Sequence, residues 1–306
     1  MSCASAVRGS SVPDQNTRTF DSAPAGLPLM LKAALPALPV IGSLPGIKHS
    51  RGELPETTLI RRRVTTDQAH LERYRRVCGF DPFSSLPATY PHLAAHTLHL
   101  TMMTDTSFPF TPMGAVHLRN RITQHRPIGV TESYDISLRA AQLTPHPKGQ
   151  LVELLSEARV GDELVWDESM TLFFRGRSGS GPEPTTPPLD GVEAPRGPIH
   201  WTLPGGLGRS YGAVSGDRNP IHLHPLTAKA FGFPRAIAHG MWTKAKCLSA
   251  LDDLPEAYTA TVEFKKPILL PGTIVFGSER QSGRTIFGVR SEDGSTEHLV
   301  GAIVPA

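Results

Sequence analysis

Cysteine is scarce, with Cys3, Cys78 and Cys247 the only three in 306 residues. Their number is odd and no two share CxxC spacing. That excludes a disulfide framework and a thiol-based metal or redox motif, and fits a reducing compartment. Charge of one sign is also in short supply: 31 Lys and Arg against 28 Asp and Glu leave a net +3. Such a balance argues for neither nucleic acid nor an acidic membrane surface as a partner. The local basic runs Arg61-Arg62-Arg63 and Arg73 to Arg76 read as solvated faces. No run reaches the roughly 20 apolar residues of a membrane span. The apolar stretch from Leu27 to Leu44 is broken by Pro28, Pro36 and Pro39 and reads as a core-packing arm. No charged segment precedes an apolar core at the N-terminus, so no secretory leader is expected. The chain is expected to be cytoplasmic.

Residues 1–28 are rich in Ser, Ala, Pro and Gly without periodicity and are expected to be disordered. A second punctuated stretch, residues 176–198, reads as a linker between residues 29–175 and residues 199–306. Both halves show one main helix followed by a run of strands. In the second, a helix from Ala238 to Leu251 precedes strands at Tyr258–Phe264, Thr273–Ser278, Thr285–Arg290 and His298–Val304. In the first, an apolar segment from His92 to Met103 precedes strands near Ala115–Gln124, Glu132–Ala140, Leu151–Ala158 and Glu163–Phe174. Strands with no helices between them exclude a doubly wound parallel sheet. The segments ITQHRPI (122–128) and VEFKKPI (262–268) echo one another, so the expected class is α+β, as two copies of one unit.

The chemistry concentrates in Tyr211–Trp242, YGAVSGDRNPIHLHPLTAKAFGFPRAIAHGMW. Ser215-Gly216-Asp217 followed by Asn219-Pro220 is turn chemistry, with Pro220 biasing Asn219 towards an extended conformation before His222. Such a loop brings Asp217 and His222 to one side. A carboxylate and an imidazole held together can share one water molecule, as reversible addition of water requires. A new helix starts around His239-Gly240-Met241, where Gly240 leaves a backbone N–H free to meet a developing negative charge.

The pattern Y-x-x-x-S-G-D-x-N-P-I-H, then A-x-x-x-G-F, then I-A-H-G-M resembles the MaoC-like (R)-specific enoyl-thioester hydratases and dehydratases. The first-half stretches LPATYPH and FPFTPMGAVHLRNRITQHRPI are similar, more loosely, to actinobacterial double-hot-dog 3-hydroxyacyl-thioester dehydratases. The resemblance implies a double hot dog, two antiparallel sheets each wrapping a helix. It implies a hydro-lyase acting on acyl-CoA or acyl-carrier-protein thioesters in fatty-acid metabolism, without a cofactor. The family's catalytic pair falls on Asp217 and His222, its site-ordering asparagine on Asn219, and the glycine facing the thioester oxygen on Gly240. Ser215 and His239 stand beside them as supporting residues. The first half has no SGDxNPIH equivalent, which implies one site per chain, with that half completing a pseudo-dimer and shaping the acyl cleft. A monomeric pseudo-dimer or a homodimer fits.

Other readings have less behind them. Asp217, His222, His224 and His239 suggest a metal cluster, but no Cys or Glu nearby completes a set, so no metal is expected. Gly206-Leu207-Gly208 imitates a nucleotide-binding loop without the preceding buried strand. A hot-dog thioesterase is the enzymatic alternative and an acyl-thioester binding module the non-catalytic one. Lys244, Lys246, Lys265 and Lys266 are candidates to meet the phosphates of coenzyme A.

Overall fold

The computed structural model describes residues 16–24, 29, 52–112, 114–176 and 189–306. The apolar arm at 27–44, apart from Leu29, and residues 177–188 of the expected linker lie outside the described residues.

The first half runs β1 (Thr17–Phe20), β2 (Thr58–Val64), α1 (Gln68–Cys78), α2 (Pro91–Met103), then β3 (Val116–Gln124), β4 (Tyr134–His146), β5 (Gly149–Val160) and β6 (Glu163–Arg175). The second runs β7 (Ile199–Leu203), α3 (Leu207–Ser215), α4 (Pro220–Leu223), α5 (Pro225–Ala230), α6 (Gly240–Leu248), then β8 (Tyr258–Phe264), β9 (Gly272–Gln281), β10 (Arg284–Ser291) and β11 (Glu297–Pro305). Residues 17–20, expected within a disordered segment, form β1. The alternating Thr-Arg-Thr-Phe suits a pleated edge, and the strand pairs in parallel with β2.

All eleven strands join one sheet in the order β1-β2-β4-β5-β6-β3-β8-β11-β10-β9-β7. Apart from β1, the order reads the same from either edge towards the centre. Each half contributes its first strand to an edge and its second to the junction. There β3 and β8 pair antiparallel, from Arg119 opposite Glu263 to Gln124 opposite Tyr258. The fold is therefore the double hot dog, closed at the middle by a continuous ladder.

The echo between 122–128 and 262–268 is structural. Leu86 N–H donates to the Ile128 carbonyl, and Ala238 N–H to that of Ile268. Beside them stand the isolated bridges Ser85–Gly129 and Ile237–Leu269. Counted forward from Leu86 and Ala238, His92 matches Lys244, and His96 matches Leu248. One difference breaks the match. From the end of α1 to this bridge the first half uses only residues 79–83, whereas from the end of α3 the second half uses residues 216–235. The whole SGDRNPIH loop occupies that added length.

The main core lies between the sheet and helices α1, α2, α3 and α6. In α2, Ala95, Leu98 and Met102 are buried; in α6, Met241, Ala245 and Leu248. Each buried Leu or Met is worth about 1.5–3 kcal/mol against exposure. The halves interlock through these helices: Trp242 donates from its ring N–H to the Val77 carbonyl at 3.0 Å, and Ser249 Oγ to that of Cys78. Cys78 and Cys247 are free and buried. Residues 189–198 lie against the outer sheet face, where Leu189 and Ala194 pack with Ile286, Val300 and Ala302. No helix of the described residues is long and apolar enough to cross a membrane.

Candidate active site

The site is built where α3 ends. Gly216 adopts a left-handed conformation (φ 76°) that stops the helix, its N–H capping the Gly212 carbonyl. The chain then turns into Asp217. Ser215 Oγ accepts the Asp217 N–H at 3.2 Å, and Asp217 Oδ1 accepts the Asn219 N–H at 3.1 Å. Asn219 is extended and caps α4, its Oδ1 accepting from Ile221 N–H at 3.4 Å. Ser215 and Asn219 thus fix the loop rather than face its cavity.

Two glycines let this loop lie on α3. A β-carbon on Gly208 would overlap the His222 carbonyl, and one on Gly212 would stand 2.8 Å from the Asp217 carbonyl oxygen. The Gly206-Leu207-Gly208 run is therefore a packing surface for the loop, inside a helix that sequence reasoning had not placed.

His222 Nδ1 lies 2.8 Å from the Ile237 carbonyl and donates to it. That bond fixes the tautomer and leaves Nε2 with a free lone pair. The ring stacks on His239, with centroids 3.7 Å apart, and His239 is backed by Tyr211 at 4.9 Å. His239 Nε2 donates to the Asp217 backbone carbonyl at 3.1 Å and stands 3.9 Å from Asp217 Oδ2. Its Nδ1 is buried without a partner. Asp217 and His222 are thus brought together, with His239 behind them. His224 is not part of the group, since its Nδ1 caps α5 by accepting from Leu226 N–H.

Burial opposes ionisation of Asp217, but the imidazoles of His239, His96 and His222 and the Asn219 N–H hold it well below the usual carboxylate range. Burial lowers His222 and pushes His239 down to about 3. At neutral pH the loop therefore presents a carboxylate anion beside neutral imidazoles.

Gly240 opens α6, and its N–H is one of the first-turn donors with no intrahelical acceptor. A β-carbon there would stand 3.0 Å from the Phe264 ring, so glycine keeps the approach to this N–H open.

Sequence reasoning missed a polar stripe on α2. His92, His96 and His99 recur at i, i+4 and i+7, one face of an otherwise apolar helix, and that spacing was the available signal. His92 Nδ1 donates to Glu168 Oε1 at 2.7 Å, and His99 Nε2 bonds to Ser156 Oγ at 3.1 Å. Glu168 also accepts from Asn120 Nδ2 at 2.7 Å, and Asn120 Oδ1 accepts from Lys244 Nζ at 2.6 Å. Lys244 is fully buried and donates as well to the Ala260 carbonyl, so it cannot meet a coenzyme phosphate. Of the other lysines proposed for that role, Lys246 lies over the Trp201 ring and Lys265 pairs with Glu263, while Lys266 is exposed.

Among the described residues two groups are spaced to hold a cation: Asp217, His222 and His239, and His92, His99 and Glu168, each offering ligand atoms within 4.8 Å of one another. The sequence argument that no further ligand completes a set near Asp217 is thus removed by His239. In the second group Glu168 Oε1 is already committed to His92 and Asn120.

Residues 207–302 match the family model described as MaoC like domain. The chain is 37% identical over 251 residues to 3-hydroxyacyl-thioester dehydratase X of Mycobacterium tuberculosis, covering 82% of this chain and 87% of that protein. The chain belongs to the MaoC-like family. A crystal structure of HtdX from the same organism superposes on this MaoC-like protein with a TM-score of 0.72 at 32% identity, covering 81% of this chain and all of that one. Similarity to the M. tuberculosis enoyl-CoA hydratase ChsH3 is lower, 27% over 171 residues, 54% of this chain and 59% of that protein.

Proposed function

We infer that this protein is a hydro-lyase that reversibly dehydrates (3R)-hydroxyacyl thioesters to trans-2-enoyl thioesters, on coenzyme A or acyl carrier protein, in fatty-acid metabolism. The observation that carries the reading is the His222 Nδ1–H bond to the Ile237 carbonyl, which leaves Nε2 as a base beside the Asp217 carboxylate. In hydration, one water proton points at each group. His222 Nε2 takes its proton as the oxygen adds to C3, and the imidazolium then gives that proton to C2. Asp217 stays ionised, holding the water and stabilising the transient imidazolium. The proton count closes within one turnover. The Gly240 N–H meets the enolate oxygen of the thioester, an interaction worth on the order of 3 kcal/mol at comparable sites.

In this reading the first half is not catalytic by itself but supplies the wall of the acyl cleft. One chain is then a complete pseudo-dimer, working in the cytoplasm on thioesters.

The test follows absorbance of crotonyl-CoA and longer enoyl thioesters, with dehydrogenases specific for each 3-hydroxy enantiomer as couplers. R product is expected. Asp217→Asn and His222→Ala should each lose at least about a hundredfold in kcat while remaining folded. Release of free thiol without hydration would identify a thioesterase instead.

A further inference from the structure

On the inner face of α2, His92 and His99 are tied to the first-half sheet through Glu168 and Ser156. His96 stands between them, its ring 6.2 Å from that of His92. It is the member of the stripe whose Nε2 is buried with no hydrogen-bond partner. A buried ring nitrogen left unpaired costs free energy unless something transient satisfies it. The matching position of the second half holds Leu248, so the helix packing does not ask for an imidazole there.

His96 also lies in the electrostatic field of the catalytic loop. Burial lowers its proton affinity and the Asp217 carboxylate raises it, with His92 and Glu168 acting from its own half. His96 acts in turn on His239. The reacting oxygen needs something the loop does not offer. Asp217 as an anion and His222 through Nε2 are both acceptors. An oxygen leaving C3 also gains from a donor.

We propose that His96, supplied by the first half, is a third catalytic residue of the site, donating from Nε2–H to the C3 oxygen opposite Asp217 and His222. The proposal rests on the hydro-lyase reading of the same site. It also gives the first half a direct part in the reaction, beyond lining the cleft. No proton is transferred from His96; it remains neutral and acts by hydrogen bonding alone.

The test compares His96→Leu, which copies the second half's own residue, with His96→Gln, which keeps a terminal N–H donor at similar reach. Both are made in the full chain and assayed on crotonyl-CoA, with circular dichroism to check the fold. His96→Leu should lose at least about tenfold in kcat with KM within about twofold, and His96→Gln should recover most of that loss. Equal activities of the two variants, or a His96→Leu enzyme within about threefold of wild type, would overturn the proposal. A second readout does not depend on turnover: in histidine-labelled protein, Asp217→Asn should lower the His96 titration midpoint seen by NMR. If wild type fails to hydrate any enoyl thioester, the hydro-lyase reading falls. An unmoved His96 midpoint removes His96 from the site whatever the reaction.

Discussion

The Cα of Gly208 in α3 rests on the carbonyl oxygen of His222, with no room for a side chain between them. The loop therefore takes the height of its imidazole from a helix that contributes no reacting group. Gly208→Ala should raise helix propensity locally and still damage the enzyme. His222 must move away, and misplacement by about 1 Å can cost on the order of a hundredfold. The expected result is a folded variant with kcat reduced at least tenfold and an intact Asp217. Wild-type turnover would mean that the loop adjusts without moving the ring.

At Gly240 the obstruction comes from the other side. A β-carbon already meets the Phe264 ring at 3.0 Å, and the two further methyls of valine have nowhere to go but over the free N–H. Gly240→Val should lower kcat at least tenfold while histidine NMR shows His222 and His239 still stacked. Retained turnover would remove the N–H from the oxyanion role.

Lys244 offers a test of burial against ligand binding. Lys244→Met leaves Asn120 Oδ1 and the Ala260 carbonyl without their donor and takes a positive charge from near Glu168. A loss of about 2–4 kcal/mol in urea unfolding is expected. KM for a coenzyme A thioester should be unchanged, because the ammonium never reaches solvent. A raised KM with unchanged stability would restore the phosphate-binding role.

Acid should unfold the protein early. Burial pushes both His99 and His239 down to about 3, from a usual value near 6.5. The unfolded chain therefore takes up protons from about pH 6.5 downwards that the native state refuses until about pH 3. Stability is complete above pH 6.5 and falls as pH drops towards 3, by up to about 1.4 kcal/mol per pH unit for each histidine. Glu168, buried but held down to about 2 by His92, His99 and Asn120, adds a loss of the same sign below about pH 4.5. Urea midpoints measured from pH 8 to pH 4 should decline, with a shallower slope in His99→Gln. A flat profile would contradict the neutral buried imidazoles.

Much of the fold was legible where burial imposes a period. Strand β8 was read at its observed ends, Tyr258 to Phe264, because Tyr258, Ala260 and Val262 alternate inwards. Helix α3 was missed because Gly208 and Gly212 depress helix propensity, and only packing against the loop explains them. The edge strands β1, β2 and β7 are short or mixed in pattern, so their pairing partners define them. In the site, Asp217 and His222 were legible because turn residues bracket them. Lys244 was misread although its place between Met241 and Ala245, on the stripe that ends at Leu248, already set it inward. His96 sat in an apolar segment where a histidine looks like filler, and its meaning depends on a loop that arrives from the other half of the chain.

The pairing of His92 with Lys244, and of His96 with Leu248, has a consequence for how such a protein can change. In a true homodimer one codon writes both members of each pair, so a histidine wanted on one helix is forced on the other. With both copies in one chain the two positions vary independently. One can stay a hydrocarbon that keeps a helix seated while the other becomes an imidazole, and an acid and an amine can settle on opposite sides of the former symmetry axis. Covalent duplication thus enlarges what mutation can reach at the centre of the molecule, and the unequal lengths of residues 79–83 and 216–235 record the same freedom at the backbone.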